Sequence, residues 1–325
     1  LDVGSIMTTW LDQPGYPVVT AKVVDGKLTI SQQQFFIGKG KEAGRSWKIP
    51  LNSNYEAAPK IFSEKEAVLG DYAELRETAG EPFRLNVGNN SHFIVKYDQT
   101  LMTDILRNDD SLDAISKLQI LQDLRLLAEG RQITYAEIVP LLSRMADSKS
   151  VVVTQALYQA ANDLKKFVTP GFKAEKQLKA FINKLSEGQL ARLGWNYKAG
   201  ESNDDQISRR YIINAALYAE NSDAIAQAHK LFTANHDNLA GLSADVRPFV
   251  LSNEVKNFGS EALFDKLLNE YRTNTDPSYK SDVCGALTKT TDSKLVAKLV
   301  GKFEDADTIK PQDLRAWYRG VLSND

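Results

Sequence analysis

GSIMTTWLDQPGYPVVTAKV, residues 4–23, changes its periodicity once and abruptly. Val3, Ile6, Met7 and Trp10 recur at three- and four-residue intervals, the spacing of one face of an amphipathic helix. Pro14, Gly15 and Pro17 then stop it, and the β-branched run at residues 18–24 alternates as a strand does. The opening therefore reads as the last turns of a helix that begins upstream, joined to a β domain by a rigid turn.

Beyond that turn, PVVTAKVVDGKLTISQQQF holds Asp25-Gly26, a dipeptide suited to the positive φ of a tight hairpin, between two alternating runs. Short strand candidates follow at SWKIPLN, AAPKIFS, EAVLG, PFRLNVG and SHFIVKYD, broken by Gly, Asn and Pro. This spacing predicts a small antiparallel β-sandwich over residues 17–98. At Tyr97-Asp98 the period lengthens from two to 3.6 and stays so to the end. Leu112, Ile115, Leu118 and Leu121 form one stripe that Gly130 stops. Thr134 and Glu137 have capping-box spacing, Ile133 and Ile138 suit a hydrophobic staple, and Pro140 is expected to bend the helix they begin. The remaining segments are short and amphipathic, and such helices do not stand singly. Residues 99–325 thus read as an all-α array, a HEAT/ARM-like superhelical domain of irregular repeats, cut at Asp325 without a polar cap. The fold class is multidomain β + α, with residues 1–16 left over from a preceding domain.

Composition narrows the function. A formal charge of −2 provides no field for nucleic acid or an anionic membrane surface, and no apolar run approaches the ~18 residues of a spanning helix. The expected location is cytoplasmic. Cys284, the single cysteine, sits among Val283, Ala286 and Leu287 as a small packed residue rather than a nucleophile. His92, His229 and His236 form no i,i+4 pair for a metal, and their expected roles are surface or capping ones. GxSxG, a Gly-rich phosphate loop and a CxxC pair are all missing from the sequence. No catalytic residue and no metal ligand is therefore assigned. Three cations are candidates for binding. Arg209, with Arg210, reads first as a solvated helix face pairing with the acids before it. Arg247 lies in a helix's first turn, where the dipole mildly disfavours a cation. Lys289 falls at a turn between helices, from which a side chain projects into a concavity.

The order of these pieces resembles the C-terminal half of the aminopeptidase N family, the HExxH zinc aminopeptidases. IMTTWLDQPGYPVV is similar to that family's junction between its catalytic domain and the following sandwich. GKLTISQQQF, WKIPL and LNVGNNSHFIVKYD resemble its sandwich strands, although the Gly-Tyr-Tyr-Arg often found near the last strand is SHFIVKYD here. KLQILQDLRLLAEG, LGW, LFDKLLNEYR and KSDVCGALTKTTDSKLV resemble its helical domain, and the overall look is that of the enzymes of lactic acid bacteria.

The resemblance implies a zinc-dependent parent enzyme that removes N-terminal residues from peptides. Its HExxH helix, further Glu ligand and GxMEN loop are absent from this sequence. Zinc would belong to the parent, with none bound by this chain. The partners implied are the catalytic and N-terminal domains of the same polypeptide and a peptide substrate, with the sandwich bracing the catalytic domain and the superhelix closing over the cleft. In some members a basic residue at the turn matching ALTKT lies near the substrate's C-terminal end, which points to Lys289 for carboxylate recognition. The alternative is a free-standing interaction module made of a sandwich and a helical docking groove.

Overall fold

The turn at residues 14–17 takes its shape from Gly15, whose φ of +91° suits glycine. A Cβ there would also lie 2.5 Å from the Gln34 side-chain amide. A computed structural model describes residues 2–324 and divides into two compact units, Leu1–Leu164 and Lys165–Asp325. Leu1 and Asp325, the positions at which the sequence pattern was read as cut, lie outside the described residues.

In the first unit α1 (Val3–Leu11) starts on its own cap, the Asp2 carboxylate accepting from the Ser5 N–H at 3.1 Å. β1 (Pro17–Val24) and β2 (Lys27–Gln34) form the expected hairpin, with Asp25 and Gly26 both at positive φ, +48° and +78°. β3 (Ile49–Pro50) and β4 (Ile61–Phe62) make a separate two-stranded sheet. Gln32 joins the sheets: its amide donates to Trp47 O at 3.0 Å and Glu64 O at 2.9 Å, and accepts from the Trp47 N–H. β5 (Glu66–Asp71) pairs antiparallel with β2, and β6 (Ile94–Tyr97) pairs with β1, giving the order β5-β2-β1-β6. Val19, Leu28, Ile30, Trp47, Phe62 and Phe83 are among its buried core residues.

Three features differ from the strand pattern. β6 runs parallel to β1, so the larger sheet is mixed rather than antiparallel. Residues 72–79 form a helix, α2 (Tyr72–Ala79), between the Asp71 cap and the left-handed Gly80. PFRLNVG is not a strand, because its backbone bonds are taken singly: Asn54 Oδ1 accepts from Arg84, the Tyr97 hydroxyl from Leu85, and Leu51 O from Asn86.

Helices begin where β6 ends. α3 (Gln99–Arg107) is capped by Asp98, whose other carboxylate oxygen accepts from Val23 N–H at 2.7 Å. α4 (Ala114–Glu129) packs on β6 and on α6 (Val151–Asp163). α4 does end before Gly130, but at an ordinary φ of −74°. Gly130 is required by proximity instead, since a Cβ would lie 2.6 Å from the Phe35 ring. Glu137 accepts from the Thr134 N–H at 2.8 Å as the capping box predicts. Pro140 does not bend a helix; it stands in the first turn of α5 (Val139–Met145), after a short 3₁₀ turn, where its missing N–H costs nothing.

The second unit is helical throughout: α7 (Lys173–Leu193), α8 (Asn203–Tyr218), α9 (Ser222–Ala234), α10 (Arg247–Phe258), α11 (Glu261–Thr273), α12 (Pro277–Leu287), α13 (Ser293–Val300) and α14 (Leu314–Leu322). α10 packs on α8, α9 and α12, and α12 also on α11 and α14. Their apolar faces share one core that includes Ile213, Val250, Leu267, Val283 and Trp317. Cys284 is buried within it, and burial pushes its thiol up to about 12, as suits a packing residue. No helix among the described residues is long and apolar enough to cross a membrane.

Candidate functional site

Lys289 follows α12 in a tight turn closed by its own N–H to Ala286 O at 2.9 Å and by Thr290 N–H to Leu287 O. Its half-buried side chain borders a cavity of about 520 Å³ lined by residues of α7, α8 and α10. Lys165, Lys179 and Lys256 reach the same space. Lys179 is neutralised by Glu175 at 3.0 Å and Glu220 at 2.7 Å. Burial pulls the Lys179 ammonium down, but the hydrogen bonds it donates to these two carboxylates outweigh that effect, and the group is held above its ordinary range. Lys165 lies 3.5 Å from the centroid of the Tyr218 ring, a cation–π contact. Lys256 and Lys289 enter no ion pair among the described residues. With Leu217, Tyr218, Pro248 and Phe249 also in the wall, the cavity offers spare positive charge beside apolar surface. That pairing suits an organic anion.

The other two candidates sit elsewhere, in neither case on this cavity's lining. Arg209 is buried, which corrects the solvated face expected of Arg209-Arg210; only Arg210 is exposed. Arg209 donates to Leu193 O and Gly194 O at the end of α7 and pairs with Glu201, so its charge meets the negative end of a helix. Asp205, one of the acids expected to pair with it, is taken by Arg192 at 2.6 Å. Arg247 is buried as well, donating to Asp282 at 2.7 Å, Ala240 O at 3.0 Å and Ser278 at 3.1 Å. It ties the first turn of α10 to α12, and Asp282 offsets the unfavourable dipole there. The Lys179–Glu175 spacing was open to sequence reading as an i,i+4 pair. The meeting of Lys165, Lys256 and Lys289 was not, since each comes from a different segment.

The histidines are dispersed. His92 lies tilted against Tyr16, the ring centroids 4.9 Å apart, His229 bonds to Glu254 at 2.9 Å and stacks on Phe258, and His236 bonds to Thr233 O. Among the described residues, no three His, Cys, Asp or Glu side chains group to hold a metal ion.

Residues 83–325 match the ERAP1-like C-terminal domain. The chain belongs to this family. Its relatives include aminopeptidase N of Lactobacillus helveticus, 58% identical over 325 residues, and that of Lactobacillus delbrueckii subsp. lactis, 55% identical over 324; each alignment covers 100% of this chain. Aminopeptidase M1 of Arabidopsis thaliana is 27% identical over 98% of it. The chain spans 38% of the length of each of these relatives and corresponds to the C-terminal part of aminopeptidase N.

Proposed function

We propose that the chain is the non-catalytic C-terminal part of a zinc-dependent aminopeptidase that trims peptides in the cytoplasm. The observation that carries this is 58% identity along the whole chain to a protein named aminopeptidase N, of which it spans 38%. The residues present do not fit zinc: the three histidines stand apart and are engaged with neighbours other than one another. No chemical step is therefore assigned to them. In such an enzyme zinc would lie in the catalytic part, where it would supply Lewis-acid polarisation of the scissile carbonyl and an activated water.

In this reading residues 1–16 lead out of the catalytic domain, residues 17–98 form a β-sandwich that braces it, and residues 99–325 form a HEAT-like superhelix that closes the substrate chamber. The Lys289 cavity then serves the far end of the peptide. Its unpaired ammonium receives the terminal carboxylate, and the Tyr218 and Phe249 side receives the last side chain. A hydrogen bond to a charged group is worth roughly 1.5–3 kcal/mol. In the intact peptidase, Lys289→Ala should therefore weaken affinity by about ten- to a hundredfold for peptides long enough to reach the cavity. A single amino-acid amide should be cleaved as before. Kinetics across a series of peptide lengths make the test, and an equal loss on the amide would defeat the assignment.

A further inference from the structure

A second cavity lies at the other end of α12, with a volume of about 580 Å³, between the end of α11, the start of α12 and the start of α14. Arg272, Lys280 and Lys310 border it, against one carboxylate, Asp313, and that carboxylate already accepts from the Tyr271 hydroxyl at 2.9 Å. None of the three cations enters an ion pair among the described residues. Arg272 donates to the neutral Asn269 amide at 3.0 Å, and Lys280 rests 4.6 Å from the centroid of the Tyr271 ring. Several other basic side chains of this unit are matched to acids, among them Lys179, Arg192, Arg247 and Lys298. Cations left uncompensated around a concavity focus a positive potential within it.

The wall supplies the rest of a binding site. Thr275 and Ser281 bring hydroxyl donors, while Pro277, Ala316 and Trp317 form an apolar side. Trp317 is fully buried and packs edge-on against Tyr271, the ring centroids 4.9 Å apart, which fixes this side of the wall. We propose that this cavity binds a small organic oxyanion, a phosphate or carboxylate on an apolar body, at a site sharing no residue with the Lys289 cavity. The assignment does not depend on the peptidase reading.

Calorimetric titration of the full chain with phenyl phosphate, phenylacetate and uncharged benzyl alcohol tests it. The expected result is saturable binding of at least one anion and none of the alcohol. The tighter of the two anions identifies phosphate or carboxylate as the preferred group. Arg272→Gln and Lys280→Gln should each weaken that binding about tenfold, the loss of one charge-assisted hydrogen bond. Lys289→Ala should leave it unchanged. Arg272 is exposed and Lys280 half-exposed, so neither variant threatens the fold, and thermal melting verifies this. Three outcomes overturn the proposal: no saturation by either anion at millimolar concentration, equal binding of the alcohol, or losses from Lys289→Ala as large as those from Lys280→Gln.

Discussion

Asp123 shows how a single buried carboxyl sets a pH dependence. It faces β6 from α4, and its Oδ2 accepts from the Val95 N–H at 3.1 Å and the Gln119 amide at 3.4 Å. Burial pushes its carboxyl up to about 8 against the opposing effect of those two hydrogen bonds. The folded chain thus keeps this proton between about pH 4 and about pH 8, whereas the unfolded chain has released it above about 4. Stability contributed by the neutral form is complete below the unfolded value and is lost as pH rises through that window, by at most ~1.4 kcal/mol per pH unit. Asp123→Asn keeps a carbonyl acceptor for Val95 and has no proton to lose. Its unfolding free energy, measured by denaturant titration from pH 5 to 7.5, should fall less steeply than that of the parent chain; parallel slopes would refute the account. Asp123 lies outside the sequence-derived candidates, because its amphipathic stripe marks a core face without revealing that an acid shares it. Arg209 escaped a correct reading for the same reason, since Glu201 and the α7 carbonyls become its neighbours only in the folded unit.

Among elements, those announced by local chemistry were legible. Asp25-Gly26 specified a hairpin, and Thr134 with Glu137 a helix start, because each motif satisfies its own backbone. α2 carried equally local signals in Asp71 and Gly80, but the strand-like pattern on both sides masked them. The direction of β6 depends on how residues 35–93 return to the sheet, which no short motif encodes. Packing between elements also hides small requirements. Gly320 on α14 lies against Thr288 at the end of α12, and an added Cβ would stand 2.5 Å from Oγ1 and 2.7 Å from Cγ2. Thr288 is buried and its hydroxyl is held by Cys284 O and Gly285 O, so it cannot withdraw freely. Alanine gains up to ~1 kcal/mol in helix propensity, while overpacking costs about 1–3 kcal/mol. Gly320→Ala should therefore lower the melting temperature, and adding Thr288→Ala should restore part of the loss. A single variant as stable as the parent chain would show that the contact yields.

At the scale of the whole molecule, the proposed division of labour leaves reactivity outside these residues. The purified chain should hydrolyse no amino-acid amide, with or without added zinc, and should retain no stoichiometric zinc after dialysis; turnover or bound metal would overturn the reading. The β-then-α order was readable because periodicity shifts at Tyr97-Asp98, where β6 gives way to α3. The candidate site was readable only as one lysine at a turn, since a cavity is assembled by helices distant in sequence. α1 carries one more consequence. Trp10 donates to Lys48 O, Gln13 to Ser46 O, and Lys48 N–H to Thr9, while Val3, Met7 and Leu11 remain exposed on the helix. Pinned at Thr9 and Trp10 and, two residues past its end, at Gln13, α1 has no swivel of its own. A body seated on that outward row of side chains would inherit the bearing of residues 46–48, the stretch that leads into β3, tilting when it tilts, like a blade riveted to its handle.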